Sequence, residues 1–292
     1  MTNAGGFRSP AGLLARPRFE LIPMRGVEEQ LRFLPPGATV TVTCSPRKGI
    51  DATLDTAQML AAQGFRAAPH VSARLVRDRS HLADVLERVA AIGAVELFVV
   101  GGDVAQPVGP YASGLDLLRD AAEIGATLPP VGIPAYPDGH PLIDREALTQ
   151  ALLDKRAFAG HVVTQICFDP ARIAHWLDAV RTRGMDLPVY LGVPGVLKRR
   201  KLMEISLRVG VGETARYIGH HAGIVARLVR RGAYRPDAFV VGAAAQMGGP
   251  DSGVAGIHLN TFNQVQATER WRREVLAAYA WDAETPEEDA AS

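Results

Sequence analysis

The stretch Leu97-Phe98-Val99-Val100-Gly101-Gly102-Asp103 decides the fold, because a short apolar run ends here in two glycines and a carboxylate. Runs of this length and composition are typical of strands in a parallel sheet that is covered on both faces. The carboxyl ends of such strands, with the loops that follow them, surround the active site of an α/β barrel. Glu20, His140 and Gln165 are likewise polar residues that follow short apolar stretches. We therefore expect these four side chains to face one site.

Apolar runs recur along the chain and alternate with segments of helical periodicity. Between two of them, apolar residues at positions 82, 85, 86 and 89 form one stripe of an amphipathic helix. Such alternation predicts βα units, and eight strands with helices between them predict a (βα)8 TIM barrel of the α/β class. The predicted strands are Phe19–Ile22, Thr39–Cys44, Arg66–Val71, Val95–Val100, Val131–Ala135, Val162–Phe168, Leu187–Val193 and Val254–Leu259.

The barrel is predicted to be one domain over residues 18–281. A chain of 292 residues is typical of a single barrel of this kind. Residues 1–17, with their glycines and prolines, are predicted to form a flexible arm, and residues 282–292 an acidic tail. Neither terminal segment is expected to carry the chemistry.

One connection in the predicted barrel is unusually long. The stretch from Lys198 to Gly253 exceeds what a single crossover needs, and it predicts extra helices after strand seven. Within it, residues 237–247 fit either a helix, which Pro236 would begin, or a strand through Phe239-Val240-Val241.

Composition limits the partners. Lysine and arginine number 32 against 31 acidic residues, a balance that indicates neither nucleic acid nor an anionic membrane as a partner. No apolar run reaches the roughly 18 residues of a membrane span, and no signal peptide is evident. The two cysteines, Cys44 and Cys167, lack metal-ligand spacing and are predicted to be core residues in a reducing compartment. We expect a cytoplasmic protein with a small-molecule substrate and no metal; its oligomeric state does not follow from the sequence.

Two predicted loops carry residues suited to ligand binding. In Tyr136-Pro137-Asp138-Gly139-His140-Pro141, two prolines fix the path of an aromatic ring and an imidazole. In Gly101-Gly102-Asp103, the glycines let a ligand approach the backbone, and the carboxylate could stabilise a developing cation. If neither loop has a function, the first is a rigid loop whose histidine is hydrogen-bonded within the protein, and the second is a common turn.

Two further polar residues lie within or beside predicted strands. Gln165 would place an amide in a buried strand, which is unfavourable unless the amide is hydrogen-bonded, for example by a ligand ring. Glu20 lies between Phe19 and Leu21, and we expect apolar surroundings to raise its pKa so that it donates a proton near neutral pH. A simple ion pair is the alternative for Glu20.

Seven short motifs occur here in the order in which they occur in the methylenetetrahydrofolate reductases, and the resemblance covers about residues 18–280. That family consists of eight-stranded barrels that reduce the methylene bridge of a folate to a methyl group. Each motif alone is weak, but the ordered set is specific. The matching segments are Phe19–Pro23, Val42-Thr43, Pro69–Ser72, Gly101–Asp103, Tyr136–Pro141, Thr164–Asp169 and His258–Asn263.

The resemblance implies roles for individual residues. Glu20 would be the general acid that opens the five-membered ring of methylenetetrahydrofolate, Asp103 would stabilise the cationic pterin, and Gln165 would bind the pterin edge. Phe262 would also bind the substrate. The resemblance further implies cofactor contacts from Thr43, His70, Gly102, Tyr136, His140, Lys155 and Arg156.

Departures from the family pattern concern the cofactor. Family members relay hydride from a nicotinamide to the folate through a flavin, and the arginine before Gly-Asp helps to hold it; this chain has Gly101 there. Thr149 and Leu152 stand where the family presents polar residues to the flavin. These differences favour direct hydride transfer from NADH or NADPH without FAD. The absence of a Gly-rich fingerprint after the first strand places the nicotinamide in the barrel mouth.

Two other functions fit the same residues. One is a pterin-binding transferase that moves a one-carbon group, and the other is a folate-binding relative without catalysis. Oxidation of NAD(P)H that depends on methylenetetrahydrofolate would distinguish a reductase from both.

Overall fold

In the computed structural model, residue 7, residues 9–198 and residues 233–284 are described. Among them, eight parallel strands close into a barrel in the order β1-β10-β7-β6-β5-β4-β3-β2, and β8 and β9 form a separate antiparallel hairpin. The strands are β1 Arg18–Leu21, β2 Thr39–Val42, β3 Arg66–Ser72, β4 Leu97–Val100, β5 Val131–Ala135, β6 His161–Thr164, β7 Val189–Pro194, β8 Leu197–Lys198, β9 Ala233–Tyr234 and β10 Val254–Asn260.

Helices surround the barrel, and local sequence explains where several of them begin and end. The side chain of Asp78 caps the first turn of α4, and Gly93 ends that helix in the left-handed conformation. Ser113 and Asp116 form a capping box at the start of α5. The helices are α1 Pro10–Leu14, α2 Glu28–Leu31, α3 Gly49–Ala62, α4 Arg79–Ile92, α5 Gly114–Ile124, α6 Arg145–Lys155, α7 Pro170–Thr182, α8 Asp237–Met247 and α9 Val265–Glu284.

The predicted (βα)8 barrel is confirmed, and every predicted run overlaps a barrel strand. The sixth strand is shorter than predicted: it ends at Thr164, and the chain turns to reach Asp169, which caps α7. The ambiguous segment is a helix, α8, and it supplies an extra helix after the seventh barrel strand. The remaining helices predicted after that strand lie in residues 199–232, outside the described residues.

The prediction of a flexible arm is wrong for residues 9–17, which the structure describes. Ser9 caps α1 through its side chain, and Pro10 occupies the first turn, where proline is favoured. Leu13 and Leu14 are fully buried, and Arg272 of α9 donates a hydrogen bond to the carbonyl of Leu14 at 2.9 Å. Burial of these leucines stabilises the segment against the barrel. The helix α9 also continues to Glu284, into the predicted acidic tail.

The two faces of the barrel strands differ in chemistry. Outward residues such as Phe19, Leu21 and Val99 belong to the main apolar core beneath the helices. The inward face of β1 instead carries Arg18 and Glu20, because side chains alternate along a strand. Barrel interiors usually hold bulky branched side chains, so a polar interior needs its own explanation.

A buried ionic cluster fills the amino end of the barrel. Arg18 forms a bidentate salt bridge with Glu96, with Nη2 and Oε1 2.6 Å apart, and its guanidinium lies 3.7 Å from the ring centroid of Tyr190. Arg18 also donates to Nε2 of His161 at 2.8 Å, since a guanidinium cannot accept. Burial first, and then the charge of Arg18, lower the pKa of His161 to about 3. Glu96, His161 and Tyr190 are not on the strands beside β1, so these contacts cross the barrel interior.

Candidate active site

Glu20 lies on β1 and is held from the neighbouring strand β10. Asn260 Nδ2 donates to Glu20 Oε1 at 2.8 Å, and His258 Nε2 lies 3.2 Å from Glu20 Oε2. Just beyond β10, the Thr261 hydroxyl donates to the Glu20 backbone carbonyl at 2.6 Å. The parallel register pairs Glu20 with Asn260, so both oxygens of the carboxyl group are held at the seam where the barrel closes.

The expectation of a raised Glu20 pKa is wrong in this structure. Burial does raise the pKa of Glu20, and it is the largest single influence. The hydrogen bond and charge of His258, the charge of His70 and the hydrogen bond from Asn260 act in the opposite direction and together outweigh burial, so the pKa of Glu20 is lowered. The resting carboxyl group is therefore ionised at neutral pH.

Buried polar atoms around Glu20 lack hydrogen-bond partners among the described residues. They are Thr41 Oγ1, His70 Nε2, His258 Nδ1 and Asn260 Oδ1. His70 stacks against Phe98 with ring centroids 4.6 Å apart, and burial is the main cause that lowers its pKa to about 4. Buried polar groups in native proteins are nearly always satisfied by protein, water or a ligand. The interior beside Glu20 is therefore suited to bind water or a polar ligand.

Gly102 and Asp103 follow β4 at the barrel mouth. Gly102 has φ +101°, a backbone conformation that strains any residue with a side chain, and a Cβ atom there would also lie 1.9 Å from Ser72 Oγ. Burial is the main cause that raises the pKa of Cys44, and the charge of Asp103 adds to the rise. Arg74, missed by the sequence analysis, donates to the carbonyls of Val104 and Ala112 at 2.9 Å and fixes this loop.

We expect Gly102→Ala to destabilise the protein by about 1–3 kcal/mol, because it combines an unfavourable φ with a collision against Ser72. Urea unfolding would measure the loss. The matched control is Gly101→Ala, since a Cβ atom on Gly101 meets no atom within 4 Å. Equal stability of the two variants would contradict this account of the loop.

Tyr136 and His140 lie close together in the loop after β5. Their rings pack edge to face with centroids 5.4 Å apart, and His140 Nδ1 accepts the backbone N–H of Leu142 at 3.2 Å. Asp138 pairs with Arg172 of α7 at 3.2 Å, which ties this loop to the next βα unit. The buried Cys167 nearby has its pKa raised to about 12, chiefly by burial, so it is a core thiol as predicted.

Gln165 and Thr43 also lie at the carboxyl ends of strands. The backbone N–H of Gln165 donates to Ala135 at 2.7 Å, and its side-chain carbonyl accepts the N–H of Ile166 at 2.8 Å. Gln165 follows β6 and is only partly buried, so the prediction that it lies within a buried strand is wrong. The backbone N–H of Thr43 donates to Leu21 at 2.9 Å, which joins the ends of β1 and β2.

Phe262 belongs to a second apolar cluster over the carboxyl ends of the strands. It is 3% exposed and packs in this cluster with Ile22, Ile166, Leu197 and Tyr234. The family resemblance predicts that Phe262 binds substrate; in this structure Phe262 forms part of an apolar wall. The hairpin of β8 and β9 contributes to the wall through Leu197 and Tyr234.

Asn263 joins the ends of β1 and β10. Its side chain accepts the N–H of Ile22 and donates to the Ile22 carbonyl, both at 2.9 Å. Phe262 and Asn263 have φ values of 50° and 57°, in the left-handed region that residues other than glycine rarely adopt. Such strain is found most often at functional sites, where the surroundings hold it in place.

Lys155 and Arg156 are not brought together with Glu20. They lie at the end of α6 remote from the barrel mouth, and Arg156 donates to the Gly184 carbonyl ahead of β7. An α6 of 11 residues is about 16 Å long, so a cofactor contact here concerns only the far end of an extended dinucleotide. The two residues stay a prediction in that restricted sense.

A groove of about 690 Å³ runs between α6 and α7 and opens beside Tyr136. Leu148, Leu152 and Trp176 form part of its apolar lining, and Arg145 is among the charged residues at its edge. Thr149 also lines it, so the two positions of α6 that depart from the family pattern, Thr149 and Leu152, face this groove.

The structure defines a class before it defines a family: this is a (βα)8 barrel with Glu20 near the carboxyl end of β1 and Asp103 just after β4, and barrel enzymes place their active sites at these strand ends. The sequence of residues 27–211 matches the model of the methylenetetrahydrofolate reductase family. That match spans more than half of the chain, and the protein belongs to this family.

A solved structure with a TM-score above 0.5 supports the fold alone. The chain is 11% identical to oxaloacetate acetylhydrolase in complex with the inhibitor 3,3-difluorooxalacetate, with a TM-score of 0.51 over 96% of this chain and 92% of that one. Dihydropteroate synthase from Xanthomonas albilineans, with 4-aminobenzoic acid, is 17% identical, with a TM-score of 0.43 over 94% and 97% of the two chains. A putative lyase/mutase from Burkholderia cenocepacia J2315 is 17% identical, with a TM-score of 0.46 over 96% and 87%.

Two features are absent from the described residues. No helix in residues 9–198 or 233–284 combines the length and the apolar character that a membrane crossing requires. Within the same part of the chain, no three histidine, cysteine, aspartate or glutamate residues are grouped as metal ligands would be.

The sequence analysis missed His258, Asn260, Thr261 and Asn263 as individual site residues. All four fall within or beside the quoted motif His258–Asn263, from which only Phe262 was given a role. A usable signal was present, because His258 and Asn260 are two residues apart and so share one face of a strand. What the sequence did not contain is the register that places this face beside Glu20.

Proposed function

We propose that this protein reduces 5,10-methylenetetrahydrofolate to 5-methyltetrahydrofolate with hydride taken from NADH or NADPH. The observation that carries the proposal is the place of Glu20: a carboxyl group held by β10 on the inward face of β1, in a chain of the methylenetetrahydrofolate reductase family. A reductase of this type is expected to act in the cytoplasm.

Glu20 and Asp103 divide the proposed chemistry. Glu20 delivers a proton to the folate nitrogen that leaves when the five-membered ring opens, and opening gives an iminium cation. The Asp103 carboxylate stabilises that cation, and hydride addition to the iminium carbon then yields the methyl group. Gln165 binds the pterin edge with the part of its amide that does not accept from Ile166.

The described residues fit a flavin poorly at the β4–α5 loop. Gly101 supplies no cation where the family has arginine, and the guanidinium of Arg74 beside it is used by two backbone carbonyls. Arg156 is likewise bonded to the Gly184 carbonyl. We therefore propose direct hydride transfer, with the nicotinamide between Tyr136 and the end of β4, and with no step through a flavin.

Isotope transfer tests this function. With NADH or NADPH carrying deuterium at the transferred position of C4, we expect one deuterium in the methyl group of the product and no washout into solvent. Loss of label to water would indicate a relay through a flavin, whose N5 hydrogen exchanges. Consumption of methylenetetrahydrofolate without oxidation of either nucleotide would contradict the reductase and favour a transferase.

A further inference from the structure

His258 is a titratable side chain in direct contact with the Glu20 carboxyl group. It is 2% exposed, lies on the inward face of β10, and directs Nε2 to Glu20 Oε2 at 3.2 Å. Because an ionised carboxylate can only accept, the hydrogen in this contact belongs to His258 Nε2. The histidine therefore donates to Glu20 in the resting protein.

The second ring nitrogen of His258 is one of several buried polar atoms that lack hydrogen-bond partners among the described residues. Nδ1 is buried and has no hydrogen-bond partner among the described residues, and the same holds for Thr41 Oγ1, His70 Nε2 and Asn260 Oδ1. Four orphaned polar atoms around one carboxyl group match the usual environment of buried water, which makes about three hydrogen bonds to such atoms. Imidazole can take a proton at one nitrogen while it gives a proton from the other.

Several titratable and charged groups surround His258 and influence the pH dependence of the reaction. Glu20 and Arg18 face it from β1, where Arg18 pairs with it in register. The electrostatic influence of His258 extends to His70 on β3, to Glu96 ahead of β4 and to His161 on β6.

We propose that His258 is a positioning residue that reloads Glu20 with a proton, which it gives from Nε2 while Nδ1 takes up another from water bound in the barrel interior. The inference rests on the proposed function, in which Glu20 releases one proton to the folate in each turnover. It explains how a carboxyl group that is ionised at rest can still act as an acid.

The proton transfers balance. In the first step the Nε2–H bond of His258 breaks and an O–H bond forms at Glu20 Oε2, while an N–H bond forms at Nδ1 with a proton from water; the hydroxide left behind takes a proton from solvent. Glu20 then gives its Oε2 proton to the leaving nitrogen of the folate and is a carboxylate again. After product release Nε2 takes a proton from solvent and Nδ1 returns one to solvent through the interior water, which restores the starting tautomer without net consumption of protons. The net change is the one proton that the reduction consumes from solvent, and no oxidant or reductant takes part.

The test compares His258→Gln with Asn260→Ala. We expect His258→Gln to lower kcat at least tenfold at neutral pH and to move the alkaline limb of the kcat–pH profile at least one pH unit lower, because without the relay only molecules whose Glu20 is already protonated can turn over, and this carboxyl group is ionised at neutral pH. Asn260→Ala removes a hydrogen bond to Glu20 but keeps the relay, so it should lower kcat and leave the limb in place. His81→Gln, remote from Glu20, is the control.

A second readout does not depend on turnover. Nitrogen-15 NMR of the resting protein should show hydrogen on His258 Nε2, and Glu20→Gln should change that signal. An unchanged pH profile in a folded His258→Gln variant that still reduces the folate would overturn the relay. A wild-type protein without reductase activity would overturn the proposed function, and the NMR result would then decide the Glu20–His258 pair separately. If His258→Gln does not fold, a His258 Nε2 signal that is the same in the wild type and in Glu20→Gln would refute the hydrogen bond between Glu20 and His258.

Discussion

Replacement of Glu20 by glutamine is expected to lower the rate of methylenetetrahydrofolate reduction by about 10³-fold, within the range that general acid catalysis contributes. The amide of glutamine keeps the shape of the carboxyl group and the contact with Asn260, but it cannot carry a proton to the folate. Initial rates of NADH and NADPH oxidation at saturating folate would measure the loss.

The control for Glu20→Gln is Glu123→Gln. The Glu123 side chain is 70% exposed and lies 3.6 Å from Arg79, so its loss should leave the rate and the melting temperature unchanged. A folded Glu20→Gln variant that retains a rate within about fivefold of wild type would refute Glu20 as the acid, since general acids contribute about 10²-fold or more.

Arg18→Leu is expected to lower the free energy of unfolding by about 3–5 kcal/mol. Arg18 is buried against Glu96, and its removal leaves an uncompensated carboxylate in the barrel interior. The double variant Arg18→Leu/Glu96→Leu should recover most of this loss, because it removes both charges. Urea unfolding of the single and double variants would measure both effects.

Arg88→Leu is the matched control for Arg18→Leu. Arg88 pairs with Asp51 and Asp55, whose side chains are 79% and 70% exposed, and we expect a loss of no more than about 1 kcal/mol. If Arg18→Leu is no more destabilising than Arg88→Leu, the ionic cluster does not hold the amino end of the barrel together.

The fold was predictable from the sequence because local signals and global architecture agree. Apolar runs such as Val131–Ala135 coincide with strands, and alternation placed Glu20 on a different face from Phe19 and Leu21. The helix α1 was missed because its prolines suggested a flexible segment, whereas Pro10 begins a helix that tertiary burial stabilises.

The proton affinity of Glu20 could not be predicted from its sequence neighbours. It depends on His258 and Asn260, which lie 238 and 240 positions away and reach Glu20 only because β1 and β10 close the barrel. The location of Lys155-Arg156, by contrast, could have been predicted, because a crossover helix must return the chain to the amino end of the next strand.

The most direct test of the central claim is anaerobic oxidation of NADH and of NADPH by protein whose flavin content has been measured. The account predicts oxidation that requires methylenetetrahydrofolate, yields 5-methyltetrahydrofolate in equal amount, and proceeds without bound flavin. The absence of folate-dependent oxidation with either nucleotide would contradict the reductase, and activity that appears only with stoichiometric flavin would contradict direct hydride transfer.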